Sequence, residues 1–218
     1  EFNKLRKSDK TLDSFRGITK TIVFGVNYCR GPKAISREIS KEGIKFSVEQ
    51  ARAAINMFFQ TYPKIFEYIQ RCKEAVLNPG YIQGPFGRYR KAAWTDDESV
   101  IAGMQRELVN FGCQNSVADA MSLALCNFIN CRKVLPDVQY RLLLSVHDAV
   151  LLEVPGPHVK RVVEEVLPLC MCDGVELPGL GLHYTLGDPD ISFRWGEKAS
   201  PEELLAVGVS REYCGFDE

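Results

Sequence analysis

The sequence lacks the features that would place the protein in a membrane or outside the cell. None of its apolar runs reaches the roughly 18 residues that a transmembrane helix needs. The opening residues, EFNKLRKSDK, are polar and basic and contain no apolar core of the kind found in signal peptides. The sequence therefore predicts no membrane partner and a cytoplasmic location.

Cysteine is present, but without the spacing of a metal site. The eight cysteines are scattered, most of them within apolar segments, which is typical of reduced and buried thiols. The one close pair, Cys170 and Cys172, has neither a second pair nor a histidine at zinc-finger spacing. The sequence also contains no internal repeat and no low-complexity stretch.

Charge is nearly balanced over the whole chain but unevenly distributed along it. The net charge is −1, which argues against nucleic-acid binding by the entire surface. Residues 1–45, however, carry eleven Lys/Arg and five Asp/Glu, whereas residues 153–218 carry five and thirteen. The basic segment fits either contact with a polyanion or an ordinary solvated face.

Hydrophobic periodicity predicts helices first and a mixed second part. Ser14 or Asp13 is the expected N-cap of the first helix, and Ser47 with Gln50 forms a predicted capping box. The predicted helices cover 12–28, 32–40, 48–62, 64–78, 97–131 and 158–171, with a hairpin at 78–91 and strands at 138–146 and 150–154. This order predicts an α+β fold with a small antiparallel sheet and a boundary near residues 95–100.

The helix over 12–28 carries a stripe that is not apolar. Arg16, Lys20, Phe24 and Tyr28 recur every four residues, so they drift by only about 40° per step around the helix. Cations suit a triphosphate, and aromatic faces suit a base or a sugar. Gly25 leaves backbone uncovered beside Phe24, where a flat partner would fit. The alternative is an amphipathic helix whose aromatics belong to the core and whose cations are solvated.

The segment LLLSVHDAVLLEVP places His147 and Asp148 between two apolar runs that look like buried strands. A carboxylate at such a tip is presented by a rigid element, and Mg²⁺ is commonly held by one or two carboxylates plus substrate phosphates. Two such ions can bind the attacking and leaving oxygens of a phosphoryl transfer. The alternative is an ordinary hairpin turn, in which aspartate is common.

The segment QRELVNFGCQNSVADAM carries Arg106, Asn110 and Gln114 at steps of four. Amide side chains both donate and accept hydrogen bonds, so they suit the acceptors of a DNA minor groove. The apolar residues around them predict a well-buried helix, in which these polar groups need partners. The alternative is a polar helix face.

Together these segments resemble family A DNA polymerases. RGITKTIVFGVNY is similar to the family's second motif, SVHDAV to its third, and RELVNFGCQNSVADAM to the helix between them that contacts primer and template. GYIQGPFGRYR resembles the fingers hairpin, and FSVEQARAAINMFFQTYPKIFEYIQ fits the helices between. The resemblance runs from residue 12 to about 197 and implies a fingers subdomain at 1–97 and the C-terminal part of a palm at 98–218.

The resemblance also implies a role for each motif residue. Arg16 and Lys20 would bind the phosphates of the incoming dNTP, with Lys20 also acting as an acid on pyrophosphate, while Phe24 would stack near sugar and base. Tyr28 would lie at the templating position, and His147 would support the primer terminus. Asp148 would be a catalytic ligand of two Mg²⁺ ions. The residues expected to contact DNA are Gly25, Arg88, Arg106, Asn110 and Gln114.

The chain departs from the family pattern at three points. Ala149 stands where glutamate usually follows His-Asp, and Cys29 stands where glycine usually follows Tyr28. The first motif, which supplies the other metal-binding aspartate, has no counterpart among the residues before Arg16. One carboxylate cannot bridge both metals, so we expect a partner chain that carries the first motif.

The leading hypothesis from the sequence is therefore the C-terminal subunit of a split, template-directed DNA polymerase from a bacterium or phage, working on a DNA primer-template. The missing half is equally consistent with a product of proteolysis, with an inserted element or with a cloned fragment. A non-catalytic nucleic-acid-binding module that retains the fold is the alternative function. A helical scaffold with a fortuitous His-Asp turn is the third.

Overall fold

The structure, a computed structural model, describes residues 10–179, 181–183, 185–187 and 189–215. It divides into two compact units, the first ending at Cys113 and the second beginning at Gln114. This division falls inside one long helix, C-terminal to the predicted limit at residue 97. The assignment of 1–97 to fingers and 98–218 to palm remains a prediction, and residues 1–9 of the basic segment lie outside the described residues.

The first unit is built, in its described residues, from four helices, a hairpin and the start of a longer helix. Their buried faces meet in a core of Val26, Ile35, Ile39, Ala51, Ile69, Cys72 and Val109. The elements are α1 (Lys10–Asn27), α2 (Pro32–Lys41), α3 (Val48–Thr61), α4 (Pro63–Glu74), β1 (Tyr81–Gln83) and β2 (Tyr89–Lys91). The two strands pair antiparallel, as the hairpin prediction requires.

Helix starts in this unit follow the expected chemistry at one position and not at another. The Ser47 side chain accepts from the Gln50 N–H while the Gln50 side chain accepts from the Ser47 N–H, which confirms the predicted capping box. The prediction of Ser14 or Asp13 as the N-cap of α1 is wrong, because both lie inside the helix. Residues 10–13 contain no proline or glycine, and extending an existing helix costs little.

A 37-residue helix, α5 (Glu98–Val134), runs from the first unit into the second. Asp97 precedes it, and its carboxylate accepts from the N–H groups of Ser99 at 2.8 Å and Val100 at 3.3 Å. These bonds satisfy donors that the first helical turn leaves unpaired. The predicted helix over 97–131 is therefore confirmed, with an aspartate N-cap.

The second unit places a hairpin and a helical segment around a core of Phe128, Cys131, Val138, Tyr140, Val162, Val166 and Cys170. The hairpin is β3 (Arg141–Val146) with β4 (Ala149–Glu153), paired antiparallel. Beyond the helical segment come β5 (Glu176–Leu177), β6 (Leu182–His183), α7 (Pro201–Ala206) and a 3-10 turn (Arg211–Tyr213).

The helical segment after β4 is more irregular than the sequence predicts. A 3-10 turn (Gly156–His158) leads into α6 (Val159–Arg161), and π turns follow at Val162–Val166 and Leu169–Asp173. Pro168 lies between the two π turns and has no N–H to donate, which disrupts the regular α-helical ladder.

The architecture is the predicted α+β class. Helices dominate, and each pair of strands in the described residues forms its own two-stranded antiparallel ladder. Within the part of the chain that the structure describes, no helix combines the length and apolar composition that crossing a bilayer requires.

Candidate functional site

Helix α1 presents its cationic and aromatic stripe to solvent. Arg16 and Lys20 are exposed, and the rings of Phe24 and Tyr28 are 51% and 39% exposed. Packing instead uses the opposite side of the helix, where Val26 lies in the core. The alternative that these aromatics belong to the core is therefore wrong.

The stripe borders an open hollow of about 390 Å³. Lys20 Nζ lies 5.6 Å from the centroid of the Phe24 ring, so cation and aromatic already contact each other. The hollow mixes charges, because Lys20 and Arg30 share it with Glu38 and Glu42. Its aromatic wall suits a flat, uncharged group better than a phosphate.

The C-terminal end of α1 forms a Schellman motif. The Arg30 N–H donates to the Gly25 carbonyl at 2.7 Å, and the Cys29 N–H donates to the Val26 carbonyl at 2.9 Å. Cys29 has a φ of 53° in the position that usually takes glycine. The departure Tyr28-Cys29 therefore puts a side chain in the left-handed region immediately beside Tyr28.

Gly25 is buried, contrary to the expectation that it leaves backbone uncovered. A Cβ at this position would lie 2.8 Å from both Cγ1 and Cδ1 of Ile35. Ile35 is itself buried in the core, so α1 and α2 approach too closely for any side chain at residue 25. Gly25 lines the hollow, but helix packing explains its glycine; contact with DNA remains a prediction.

The polar stripe on α5 is more open than predicted. Arg106 and Gln114 are exposed and Asn110 is half-buried, although the neighbouring Leu108 and Val109 are buried as expected. The expectation that all three polar groups are buried and need partners within the chain is wrong. Apolar residues adjacent in sequence face the other side of a helix, and their burial does not extend to the stripe.

Arg106 and the end of α1 lie in the same neighbourhood. Burial raises the pKa of the Cys29 thiol, while the cations Lys73 and Arg106 oppose that rise. The first unit thus brings the end of the α1 stripe near the beginning of the α5 stripe.

His147 and Asp148 form a two-residue turn between β3 and β4. Val146 pairs with Ala149, which closes the hairpin directly beneath the turn. His147 has a φ of 55°, and a hairpin turn with positive φ at its first central residue usually has glycine there. Both turn side chains are exposed, so the carboxylate of Asp148 is presented to solvent.

The hairpin that carries this turn is supported on one face. Leu142, Val150 and Leu152 pack against the core of the second unit. The side chains of Leu143 and Leu144 are 50% and 39% exposed, and a bulge interrupts the register between Leu142 and Leu144. The prediction of two buried strands is therefore wrong for half of β3.

The donor chemistry of Asp148 suits a hard divalent cation, but the surroundings supply only part of a site. Among the described residues there is no group of three or more His, Cys, Asp or Glu that could hold a metal ion. Mg²⁺ retains water and phosphate oxygens and needs only one or two protein carboxylates. Asp148 fits one of these positions.

Arg88 lies at the exposed turn of the first hairpin. The Arg88 carbonyl accepts from the Gly84 N–H at 2.7 Å, which closes the turn. Its side chain projects from the surface of the first unit, as a residue for phosphate contact requires.

Two buried polar contacts on α5 were not expected from the sequence. Asn115 Nδ2 donates to Asp119 Oδ2 at 2.8 Å, with both residues buried. Tyr68 Oη donates to the Val109 carbonyl at 2.9 Å, and a Cβ on Gly112 would lie 2.2 Å from that hydroxyl. The i,i+4 spacing was a signal for the first contact, whereas the second joins residues 41 positions apart.

Comparisons with known proteins agree with these features. The family model for DNA polymerase family A matches residues 3–178. The chain is 32% identical over 175 residues to the thermostable DNA polymerase I of Thermus aquaticus and 29% identical over 192 residues to DNA polymerase I of Treponema pallidum. These alignments cover 76% and 87% of this chain, but only 20% and 18% of the relatives.

A solved structure shows the same fold. The POL domain of Pol1 from M. smegmatis, in complex with DNA primer-template and dNTP, matches with a TM-score of 0.65 and 22% identity over 74% of this chain and 28% of that one. The chain belongs to DNA polymerase family A. It spans about a fifth of the length of the curated relatives it matches.

Proposed function

We propose that this chain acts in template-directed DNA synthesis as the part of a family A polymerase that selects the incoming dNTP and supplies one catalytic carboxylate. The observation that carries the proposal is the exposed stripe of Arg16, Lys20, Phe24 and Tyr28 on α1 in a chain of this family. Its four side chains are available to a ligand because the opposite face of the helix supplies the packing.

The two ends of the stripe bind different parts of the nucleotide. Arg16 and Lys20 hold the triphosphate, and Lys20 is placed to donate a proton to the departing pyrophosphate. Phe24 packs against sugar and base, and Tyr28 lies against the templating base. The acidic Glu38 and Glu42 on the hollow beside Phe24 disfavour phosphates there and keep them at the cationic end.

Asp148 contributes one ligand of the metal site. Two Mg²⁺ ions, when bound, activate the primer hydroxyl and neutralise charge on the phosphates. We propose that the second carboxylate comes from a partner chain bearing the family's first motif. The exposed Leu143 and Leu144 on β3 give that segment an apolar surface to cover.

The remaining polar residues hold DNA. Arg106, Asn110 and Gln114 follow the duplex near the primer end, Arg88 and Gly25 contact the template side, and His147 supports the primer terminus. Their exposed or half-exposed positions, apart from that of Gly25, support this role. Cytoplasmic location follows as part of the same proposal.

Primer extension with Mg²⁺ tests the proposal, using this chain together with a segment carrying the first motif. Asp148→Ala should lower extension by on the order of a hundredfold or more while leaving primer-template binding nearly unchanged. Asp173→Ala, which removes another exposed carboxylate of the second unit, is the matched control and should extend normally. Extension that survives Asp148→Ala would contradict the assignment of Asp148.

Ala149 favours a second candidate, a nucleic-acid-binding module without catalysis. It occupies the first strand position after Asp148, where the family usually has glutamate, and so leaves one carboxylate fewer at the turn. This function predicts DNA binding without any extension by the unaltered complex. Titration of a dNTP separates the two, since Lys20→Ala should weaken dNTP binding only if the stripe selects nucleotides.

A further inference from the structure

The hairpin β1–β2 has an outer face of mixed aromatic and polar character. Tyr81 lies opposite Lys91 and Gln83 lies opposite Tyr89 in the antiparallel register. Side chains at these positions share one face of a two-stranded ladder. All four are exposed, the two tyrosines by 45% and 57%.

The opposite face of the hairpin holds it against the first unit. Ile82 packs against two buried apolar clusters of this unit. Arg90, paired with Ile82 across the ladder, forms a 2.7 Å ion pair with Glu107 on α5. The outer face is thus fixed in its outward orientation.

The outer side chains form a preorganised surface. The Tyr81 and Tyr89 rings are 6.2 Å apart at an interplanar angle of 67°, and Lys91 Nζ lies 5.6 Å from the centroid of Tyr89. The Gln83 amide donates to the Gly87 carbonyl at 3.0 Å, which braces the turn. Together with Gln83 and Lys91, the two rings border a shallow hollow of about 300 Å³.

The charge around this face has one sign. Residues 75–95 contain no Asp or Glu, whereas Arg88, Arg90 and Lys91 are cationic. Trp94, three residues beyond the hairpin, has a side chain that is 91% exposed. Flat rings interleaved with cations, without acids, are complementary to a polyanion that carries flat groups and are poorly suited to an acidic or purely apolar protein surface.

The geometry points to the outer face of β1–β2 as a binding surface for single-stranded nucleic acid. A base stacks on Tyr89 or Tyr81, and Lys91 contacts the adjacent phosphate. This surface lies outside the dNTP and metal residues of the proposed function and requires neither Mg²⁺ nor a nucleotide. It is therefore testable whether or not the chain supports synthesis.

Fluorescence anisotropy with a labelled oligothymidylate of about 12 nucleotides tests this inference on the whole 218-residue chain, without metal or dNTP. Tyr89→Ala should weaken binding by about tenfold, as expected for loss of one stacked base. Tyr89→Phe keeps the ring and should bind like the unaltered chain. Trp195→Ala, which removes an exposed aromatic of the acidic C-terminal part, is the control and should have no effect.

Two further readouts decide between stacking and simple charge attraction. Lys91→Gln should reduce the salt dependence of binding by about one phosphate contact. An unlabelled duplex of equal length should compete poorly, because paired bases cannot stack on the tyrosines. Equal affinities of Tyr89→Ala and the unaltered chain, equal losses in the Ala and Phe variants, or full competition by duplex would each overturn the inference.

Discussion

The α1 stripe and the His147-Asp148 turn present their side chains on supports of very different strength. The stripe lies on an 18-residue helix whose other face is buried against α2 and α3. The turn lies at the tip of a ladder with one face on the core and Leu143 and Leu144 exposed on β3. The nucleotide-facing residues are therefore positioned by their own unit, whereas the carboxylate rests on a ladder of only two strands within the described residues.

Both regions nevertheless share a backbone feature. Cys29 and His147 are the two non-glycine residues with positive φ in the part of the chain that the structure describes, and each directly follows or precedes a proposed functional residue. Such a conformation costs roughly 1–2 kcal/mol for a side chain with a Cβ. Cys29 is half-buried and packs against the core, which offsets the cost, whereas His147 is exposed and has no such compensation.

This difference suggests that the strain at His147 is retained for function. Residues in sparsely populated backbone regions cluster at sites where the side chain is needed. An imidazole beside the metal-binding carboxylate is such a side chain, whereas the thiol of Cys29 is explained by packing alone.

The largest effect is expected from tightening the support of the stripe. Gly25→Ala should destabilise the protein by about 1–3 kcal/mol, because its Cβ would lie 2.8 Å from the buried Ile35 side chain. Gly17→Ala, on the same helix, meets only the flexible Glu42 carboxylate at 3.4 Å and should stabilise by up to about 1 kcal/mol. Urea unfolding followed by circular dichroism measures both. Equal effects of the two substitutions would show that α1 and α2 do not pack as described.

A smaller effect of opposite sign is expected at the turn. His147→Gly should raise the free energy of unfolding by about 0.5–1 kcal/mol, because relief of the left-handed strain exceeds the entropic cost of glycine. His147→Ala removes the imidazole but keeps the strain, so it should give no gain. The same urea titrations apply, and primer extension should fall in both variants if the imidazole supports the primer terminus. A stabilised His147→Ala would mean that the imidazole, and not the backbone, is the source of strain.

The smallest effect is expected at Cys29. Cys29→Gly relieves the strain but loses the packing of a half-buried side chain, so stability should stay within about 0.5 kcal/mol of the unaltered chain. Cys29→Ala keeps the strain and loses the sulfur contacts, and it should destabilise by about 1 kcal/mol. Thermal melting compares the two. A clear gain from Cys29→Gly would remove the contrast with His147.

Local signals predicted most of the elements. The Ser47–Gln50 capping box, the hairpin around GPFG and the long helix over 97–131 each depend on residues within a few positions of one another, and each is present. The N-cap of α1 was misplaced because Ser14 and Asp13 are good caps that compete with simple helix extension. The π turns around Pro168 had no recognised local signal beyond the proline itself.

The candidate site was predictable in its residues but less so in their environments. Spacing by four put Arg16, Lys20 and Phe24 on one face, and the structure leaves that face open. The same spacing grouped Arg106 with Asn110, yet their exposure differs from the predicted burial. Periodicity states which side chains share a face, but which face is covered depends on segments far away in the chain.

The sequence by itself determined the elements, the family and the residues that form each stripe and turn, because these follow from contacts between near neighbours. Only the tertiary structure decided that Gly25 is packed against Ile35, that Cys29 and His147 adopt left-handed backbone, and that Leu143 and Leu144 are exposed. Each of these depends on the close approach, or the absence, of a segment that is distant in sequence.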